Sequence, residues 1–412
     1  AKKNDCEVFI LDQWVYDKKV MNPNWHKLLV FDLLENSGIE YEQVLIVDSD
    51  TNIHPDAPNI FEETDNKFCA VHNDGSYDWV MRSMETYSKH VFEGYMFDWS
   101  EYFNSGVMVV NKEHKALFKE VLDFYLTNQE LVQGIQNNFG VGTDQPMINF
   151  FVQKNNVDLK LLSYKWNMQD LHRKEILRED MLFTKLGWVY HFNAIPVNSN
   201  SYKTWYWLEK TKLYFSDSPY VMTNKISVDM WMQFLSSLDE ELETWKPDRQ
   251  ALSEKEYAEQ MSEQCDGLSP PIFLVSKKDN QVIASFLASY KAIGVSLELF
   301  EEDTYDGTVS FIHNYVVRKD YQKMGIAKKF LKMNMDFLTQ VNSFFDKEGR
   351  PMTHFVDFRN MTRSDTYWPN RNIFHFARTH DYNDGSRNLC KSLGFEEIKV
   401  DNKFVYKLEH KF

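Results

Sequence analysis

The chain has 412 residues, of which 43% are hydrophobic and 15% aromatic, and its formal net charge is −15 at pH 7. This length predicts two or three domains, each with enough apolar side chains for a closed core. A chain this acidic has no general attraction for phosphate backbones or anionic lipid surfaces, so we expect neither nucleic acid nor a membrane as partner.

The spacing of the cysteines and the length of the apolar runs indicate the cellular compartment of the protein. Cys6, Cys69, Cys265 and Cys390 are widely scattered and form no C-x-x-C pair, which favours free thiols over a disulfide framework or a zinc site. No apolar run approaches the ~20 residues that span a bilayer, and the first residues do not lead into a signal peptide. We therefore expect a cytoplasmic protein without a membrane span. Because the chain begins with Ala1 just before an apolar run, we also expect native residues upstream of it.

The first half of the chain alternates between strand-like and helix-like segments. Buried strands are expected at residues 7–11, 43–47 and 107–110, and amphipathic helices at 25–34 and 115–126. Strands that alternate with helices predict α/β layering around a largely parallel sheet.

Residues 199–219 show no clear period, and we place a domain boundary near residue 216, giving domains 1–216 and 217–412. The second domain is expected to open with a helix at 226–238, with Ser227 as its N-cap. A hairpin at 272–275 and 282–290, strands at 308–317 and 354–358, helices at 327–338 and 386–393, and a last pair of strands are expected to follow.

Asp48-Ser49-Asp50 comes directly after the apolar run that ends at Val47. In an open α/β sheet, ligands bind outside the carboxyl ends of the strands. Two aspartates one residue apart at such an end can turn oxygen ligands toward one hard divalent cation, which neutralises a diphosphate. An isolated D-x-D is also typical of a solvated turn, or of a helix N-cap at Asp50.

The segment from Asp48 to Phe61 resembles the D-x-D-T stretch of GT-A glycosyltransferases, especially the glycogenin-like and glycoprotein-glucosyltransferase-like families. Further pieces of that pattern stand in the family's order: Lys27 on the preceding helix, F-N-S-G-V at 103–107, D-Q-x-x-x-N at 144–149, W-N at 166–167 and H-F at 191–192. Alone, N-S-G is also typical of a turn, and a single histidine such as His191 of a packed core.

This resemblance implies that Asp48, Asp50 and His191 bind Mn²⁺ or Mg²⁺ on the diphosphate of a nucleotide-sugar, which we expect to be a UDP-sugar. Asp144 is the implied catalytic residue, since it would orient the donor sugar and stabilise an oxocarbenium-like centre in a retaining reaction. The implied donor-binding residues are Lys27, Asp48, Asp50, Asn104, Ser105, Gly106, Asp144, Gln145 and Asn167.

The chain departs from this family at two places. Only 47 residues precede Asp48, so we expect part of the base-binding half to be missing or rebuilt. After its histidine the family continues with Gly and then Lys-Pro-Trp, whereas here Phe192 is followed by Asn193 and Ala194. Lys203 is the nearest candidate for the diphosphate-binding lysine.

A second candidate site lies between the strand expected at 308–317 and the helix expected at 327–338. A turn that ends in small residues at a helix N-terminus exposes free backbone N–H groups at the positive end of the helix dipole, where a pyrophosphate can bind. Gly325 and Ala327 would let phosphate oxygens approach the backbone closely. An ordinary strand–helix connection is the alternative.

This turn resembles motif A of the GNAT acetyltransferases, because Val317, Tyr321, Gln322, Gly325 and Ala327 match its spacing. Lys319 stands where that motif usually has proline, and residues 389–396 resemble the superfamily's Y-x-x-L-G-F segment. The resemblance covers about residues 218–412 and implies acetyl-CoA as cofactor. The implied acetyl-CoA-binding residues are Val316, Val317, Gln322, Lys323, Met324, Gly325, Ile326 and Ala327.

Acetyl transfer to an amine needs a base for the amine and an acid for the leaving thiolate. His313 is the candidate base because it lies on the motif-A strand, although a strand histidine can equally just pack. Cys390 occupies the position of the family's tyrosine acid, and Tyr382 is a possible substitute. The segment 360–384 is expected to shape the acceptor pocket or to pack on the other domain.

Together these motifs predict an α/β protein of two domains: a GT-A domain (Rossmann-like, with a mostly parallel sheet) followed by an α/β GNAT domain with a mixed sheet. The predicted function is a bifunctional glycan-modifying enzyme that acts on a glycan or glycoconjugate acceptor. Two alternatives stay open. One domain could be a binding or structural module, or the first could be a nucleotidyltransferase, although the Gly-rich, Arg-containing loop of that class is not seen.

Overall fold

The computed structural model describes residues 2–11, 13, 15–17, 20–178, 180–193, 204–238, 272–291, 307–341, 372–380, 383–400 and 403–410. The chain divides into two compact units, Ala1–Ile195 and Pro196–Phe412. No helix in the described part of the chain is long and apolar enough to cross a membrane.

The first unit contains five α-helices and six strands among its described residues. The helices are α1 Val30–Asn36, α2 Tyr77–His90, α3 Lys115–Thr127, α4 Gln129–Phe139 and α5 Asp144–Lys154; the strands are β1 Gln43–Val47, β2 Thr51–Ile53, β3 Phe68–His72, β4 Phe103–Asn111, β5 Leu159–Leu162 and β6 Val189–His191. Short 3-10 helices lie at Lys2–Asn4, Pro23–Leu29, Ile60–Glu63, Trp99–Glu101, Lys112–His114, Tyr164–Trp166 and Leu182–Lys185.

The larger sheet of this unit has the strand order β1-β4-β3-β5, and a separate two-stranded sheet pairs β2 with β6. Strand β4 runs antiparallel to both β1 and β3, while β3 and β5 are parallel. The prediction of a largely parallel sheet is therefore wrong in its pairings. Strands β1, β3 and β5 do point the same way, and the reversed β4 lies among them.

The core of the first unit forms where helix faces pack on this sheet. Trp25 stacks on Tyr125 with ring centroids 3.9 Å apart, and Phe92 stacks on Phe150 at 3.6 Å. Strand β4 is buried over its whole length, as a strand covered on both faces should be. Residues 7–11, in contrast, form no strand: Val8 is 66% and Ile10 74% exposed. The apolar run there was read as a buried strand, and that expectation is wrong.

The second unit is built on one seven-stranded mixed sheet with the order β12-β13-β11-β10-β9-β8-β7. Its strands are β7 Tyr220–Thr223, β8 Ile272–Ser276, β9 Val282–Lys291, β10 Gly307–Val317, β11 Asn372–His380, β12 Glu396–Val400 and β13 Lys403–His410; its helices are α6 Thr204–Phe215, α7 Val228–Ser236, α8 Ile326–Val341 and α9 Asp384–Ser392, with a 3-10 helix at Lys319–Tyr321. Among the described strands of this sheet, β10 and β11 are the one parallel pair, so the predicted mixed sheet is confirmed.

Several local predictions for this unit are confirmed. Strands β8 and β9 form the expected antiparallel hairpin, and the Ser227 side chain accepts a hydrogen bond from the N–H of Met230 as the N-cap of α7. Gly394 follows α9 with a φ of +85°, as a helix-terminating glycine should. The strand expected at 354–358 lies outside the described residues.

The division of the chain lies between Ile195 and Pro196 rather than near residue 216. The reason is helix α6, which the sequence reading missed within a stretch that lacks a clear period. Its Tyr206 hydroxyl accepts a hydrogen bond from the N–H of Asn224, just after β7. Helix α6 therefore belongs with the sheet of the second unit.

Candidate functional site

The candidate site of the first unit lies where β1 ends beside the middle of the buried strand β4. The N–H of Asp48, the first residue after β1, donates to the carbonyl of Gly106 at 2.8 Å. The β3–β4 pairing shifts register between Ala70 and Val71, opposite the segment from Asn104 to Met108. This bulge directs the polar side chains of an otherwise apolar strand toward one site.

Three side chains at this site could hold a metal ion. Ligand atoms of Asp48, Asp50 and His191 all lie within 4.8 Å of one another. The short sheet of β2 and β6 brings them together, because it pairs Thr51 with His191. The N–H of Phe192 also donates to the carbonyl of Asp50 at 2.9 Å. The three residues predicted as metal ligands are thus assembled from distant parts of the sequence.

The orientation of the His191 ring is set by two asparagines. The Nδ2 of Asn167 donates to Oδ1 of Asn104 at 3.0 Å, so Oδ1 of Asn167 faces Nδ1 of His191, also at 3.0 Å. That oxygen can only accept, so Nδ1 must carry a hydrogen. In neutral imidazole, Nε2 then presents its lone pair toward Asp50, which is the tautomer that a metal ligand needs.

The carboxylate of Asp50 fits a cation in this position. Its Oδ1 is buried, lies 3.1 Å from Nε2 of His191 and has no well-aligned hydrogen-bond donor among the described residues. Oxygen and imidazole ligands suit Mn²⁺ and Mg²⁺. Burial acts to raise the pKa of Asp50, but the interaction with the His191 ring outweighs it, and the net pKa of this carboxyl group is lowered.

Lys27 joins the metal-side carboxylate to the predicted catalytic one. Its Nζ lies 2.6 Å from Oδ1 of Asp48 and 3.1 Å from Oδ2 of Asp144, and it donates to the carbonyl of Ser105 at 3.0 Å. Its side chain is 7% exposed. Burial acts to lower the pKa of Lys27, but the two carboxylates raise it by more, so the lysine stays charged. The pKa of Asp48 is raised because burial outweighs the attraction of Lys27.

Asp144 begins helix α5, where the helix dipole favours a negative charge. Its Oδ1 accepts from Thr143 Oγ1 and its Oδ2 from Ser105 Oγ, both at 2.8 Å. With Lys27, these donors fix the carboxylate on two sides. Gln145, the next residue, accepts from the N–H of Ser105 at 3.3 Å. Sequence reading missed Thr143, whose hydroxyl carries no motif signal.

The site places three carboxylates around one ammonium group, which leaves two negative charges for a divalent cation to neutralise. Every residue predicted from the glycosyltransferase resemblance belongs to this network: Lys27, Asp48, Asp50, Asn104, Ser105, Gly106, Asp144, Gln145, Asn167 and His191. The diphosphate-binding candidate Lys203 lies outside the described residues.

The turn between β10 and α8 in the second unit is a candidate anion-binding cradle. Lys323 and Gly325 both have positive φ, +62° and +76°. Alternation of left- and right-handed backbone turns successive N–H groups toward one point, which forms an anion-binding concavity. Residues 322–325 are exposed, while Ile326 is 4% exposed and anchors the helix start in the core. Gln322 braces the turn by donating to the carbonyl of Val317 at 3.0 Å.

The strands behind this cradle separate. The parallel pairing of β10 with β11 runs from Gly307–Asn372 to Ile312–Ala377, although both described strands continue beyond it. On its other side, β10 shifts register against β9 between His313 and Val316. His313 is thus the first residue beyond the paired part, at the mouth of a split that leads to the cradle.

Cys390 does not have the setting of a catalytic acid. It lies on α9 in an apolar cluster with Leu331, Met335 and Tyr406, and it is 4% exposed. Burial raises the pKa of its thiol to about 12. The structure therefore places it as a packing residue. The substitute candidate Tyr382 lies outside the described residues.

Comparison with known proteins gives matches only among solved structures. No protein-family model matches the chain, and no curated protein is significantly similar to it. PH1933 from Pyrococcus horikoshii OT3 is 17% identical, with a TM-score of 0.29 over 47% of this chain and 99% of that one. The ribosomal-protein-S5-alanine acetyltransferase from Vibrio fischeri is 15% identical, with a TM-score of 0.30 over 48% of this chain and 95% of that one.

The ribosomal-protein-S18-alanine N-acetyltransferase from Escherichia coli is 14% identical, with a TM-score of 0.27 over 47% of this chain and 95% of that one. Acetyltransferases recur among the matched structures, two of them described as GNAT family members. At such low identities and TM-scores, the matches carry no argument about activity, and both functions below rest on the sites themselves.

Proposed function

We propose that the first unit transfers a sugar from a nucleotide-sugar donor with the help of a divalent metal ion. The observation that carries this proposal is the joining of Asp48, Asp50 and His191 at one point, with a buried oxygen of Asp50 that lacks a donor. A bound Mn²⁺ or Mg²⁺ would supply charge neutralisation at the diphosphate. The matching sequence pattern supports a retaining reaction on a UDP-sugar.

The remaining residues position the donor. Lys27 and Ser105 hold the Asp144 carboxylate in one orientation, so that it can accept hydrogen bonds from sugar hydroxyls and face positive charge at the anomeric carbon. Asn167 accepts a hydrogen bond from Nδ1 of His191 and so directs Nε2, the other ring nitrogen, toward the proposed metal position. Burial of Lys27 and Asp144 makes their electrostatic interactions stronger than they would be in water.

Donor hydrolysis in the absence of acceptor tests this function. We expect release of UDP from one member of a panel of UDP-sugars with Mn²⁺ and none with EDTA. Asp50→Asn should abolish the release, whereas Asp56→Asn, an equally conservative change at a side chain that is 80% exposed, should leave it unchanged. Release that persists in EDTA would overturn the proposed mechanism.

A second proposed function, acetyl transfer from acetyl-CoA to an amine, is favoured by a separate observation. The positive-φ turn at Lys323 and Gly325 stands at the N-terminus of a 16-residue helix, and β10 and β11 part beside it. The turn would bind the pyrophosphate. The part of β10 beyond its pairing with β11 would bind the extended arm of the cofactor as a strand edge binds a peptide.

His313 is proposed as the base that removes the amine's proton, because of its place at the mouth of the split. Titration calorimetry with CoA tests the cradle independently of turnover. Binding to the full chain that Gly325→Val removes would support it; equal binding by this variant and the wild type would contradict it.

A further inference from the structure

An exposed group of aromatic rings lies beside the donor site. We call it the aromatic ridge and define it by His72, Tyr77 and Trp99. The ring centroid of Trp99 lies 4.6 Å from that of His72 and 5.6 Å from that of Tyr77, with both pairs edge to face. Tyr77 is 58% and Trp99 37% exposed. Large aromatic side chains left in water next to one another mark a binding surface more often than chance exposure.

Hydrogen bonds hold the residues of the aromatic ridge in place. The His72 ring binds the carbonyl of Trp99 through Nε2 at 3.0 Å, and the backbone of Asp98 exchanges two hydrogen bonds with the Gln153 side chain, both at 2.9 Å. On the other side, buried Asp170 accepts from the N–H of Ser76 at 3.0 Å, directly before Tyr77. These bonds hold the rings without burying them.

Gly75 shows how closely the backbone is held at this place. A Cβ atom there would lie 1.9 Å from Oδ2 of Asp170, so the loop that carries Tyr77 can only close on the carboxylate with glycine at this position. Asp170 itself has a φ of +53°. Such strain is kept where the surrounding structure depends on it.

Two short routes connect the ridge to the donor site. The carbonyl of His72 accepts from Nε2 of Gln169 at 2.7 Å, and Gln169 is two residues beyond Asn167, which orients His191. In the sheet, His72 pairs with Phe103, and Val71 pairs with Asn104. A molecule that rests on the ridge therefore lies at the end of the sheet where Asp48 follows β1, which is also the end of the proposed donor site.

The chemistry of the ridge suits a sugar. The face of an aromatic ring carries partial negative charge, which attracts the C–H groups on the flat side of a pyranose. Asp74 and Lys174 form a half-exposed ion pair, with Nζ of Lys174 2.8 Å from Oδ1 of Asp74. Asp74 is two residues after His72, and the Gln169 side chain donates both to the carbonyl of His72 and to Oδ1 of Asp74. The carboxylate and ammonium groups of this ion pair can accept from and donate to hydroxyl groups. A protein partner would need some 20–30 residues on each side, far more than the ridge offers.

We infer that the aromatic ridge is the acceptor-sugar subsite of the first unit, binding the terminal pyranose of a glycan by stacking on Trp99 and Tyr77. This inference rests on the glycosyl transfer proposed above and adds the class of acceptor. The ridge would hold the pyranose ring while one of its hydroxyls faces the donor site.

Saturation-transfer NMR on the full chain tests the inference, with UDP and Mg²⁺ present and four probes: the methyl glycosides of glucose, galactose, mannose and N-acetylglucosamine. We expect saturation of ring protons in at least one of them. Trp99→Ala and Tyr77→Ala should each weaken its binding by roughly fivefold, the usual contribution of one aromatic contact, and Trp99→Phe should restore part of it. UDP affinity, unchanged in each variant, shows that the fold is intact.

Phe139→Ala is the matched control, because Phe139 is 44% exposed and stacks on His90 at the opposite end of helix α2. It should bind the glycosides like the wild type. Glycoside binding that neither ridge variant changes, or no glycoside binding by a protein that binds UDP, would overturn the inference. If glycosides bind through the ridge but UDP does not bind, the ridge is still a sugar site and the proposed transfer is wrong.

Discussion

Gly106 leaves room for the ring of His191: a Cβ atom at Gly106 would lie 2.2 Å from Cε1 of that histidine. The ring cannot easily move away, since Asn167 holds its Nδ1. We therefore predict that Gly106→Ala displaces His191, weakens Mn²⁺ binding at least tenfold and lowers the free energy of unfolding by about 1–3 kcal/mol through overpacking. Titration of the metal ion and denaturant unfolding measure the two effects.

Gly134→Ala provides the comparison, because Gly134 lies within helix α4 and a Cβ there would meet no atom within 4 Å. We expect this variant to bind Mn²⁺ normally and to gain about 0.5–1 kcal/mol from better helix propensity. Metal binding by Gly106→Ala that equals the control would show that His191 is not a ligand.

Lys27 is predicted to stabilise the fold because its ammonium group contacts two carboxylates in a mostly buried site. Lys27→Met would leave Asp48 and Asp144 facing each other, at an expected cost of about 3–5 kcal/mol in the free energy of unfolding at pH 7. The cost should shrink as pH falls, because Asp48, whose pKa is raised by burial, takes up a proton. Chemical denaturation at pH 7 and pH 5 measures both effects.

The exposed ion pair of Lys115 with Glu35 is the control for that change, since the Lys115 side chain is 40% exposed. Lys115→Met should cost far less stability than Lys27→Met, because water and salt screen an exposed ion pair. Equal destabilisation by the two variants would contradict the buried-network account of Lys27.

Two cysteines are predicted to be unreactive in the native protein. Burial raises the pKa of the Cys69 thiol to about 11 and that of Cys390 to about 12, whereas an unfolded thiol has a pKa of about 8.5. At pH 8, iodoacetamide should therefore label both only after unfolding, as peptide mass spectrometry would show. Because the unfolded chain loses these protons first, their contribution to stability should fall as pH rises from about 8.5 toward 11. Rapid native labelling of Cys390 would instead favour its proposed role as an acid.

Gly325 is predicted to matter both for backbone strain and for the cofactor. Its φ is +76°, and a Cβ there would meet no protein atom within 4 Å. Gly325→Ala should cost about 1–2 kcal/mol of stability from the left-handed backbone and also weaken CoA binding by crowding the pyrophosphate. Gly394→Ala is matched to it, with a φ of +85° at the end of α9. The Gly394→Ala variant should lose similar stability and keep its affinity for CoA. Loss of CoA affinity in both variants would contradict CoA binding at the turn of Lys323 and Gly325.

The sequence predicted which side chains lie together better than it predicted the sheet architecture. Asp48, Asp144 and His191 were identified from short motifs, because each motif combines a polar residue type with a spacing that is typical of ligand binding. The reversed direction of β4 was not predictable in this way, since an apolar run such as 107–110 has the same appearance in either direction.

Other differences have similar causes. Helix α6 was missed because its aromatic and charged residues are spread around all faces, with Tyr206 and Trp207 both buried. The predicted buried strand at 7–11 is absent because an apolar run does not show whether a neighbouring strand is available to pair with it. Asp170 was missed because its role, fixing the loop at Gly75, depends on a contact between residues 95 positions apart.

The central claim is that the first unit binds a nucleotide diphosphate through a metal ion held by Asp48, Asp50 and His191. Titration calorimetry of UDP into the full chain, with Mn²⁺ and then with EDTA, tests it most directly. We predict binding that requires Mn²⁺ and that Asp50→Asn removes, while circular dichroism shows the variant to be folded. UDP binding of equal strength in EDTA, or no UDP binding at all by the wild type with Mn²⁺, would contradict the claim.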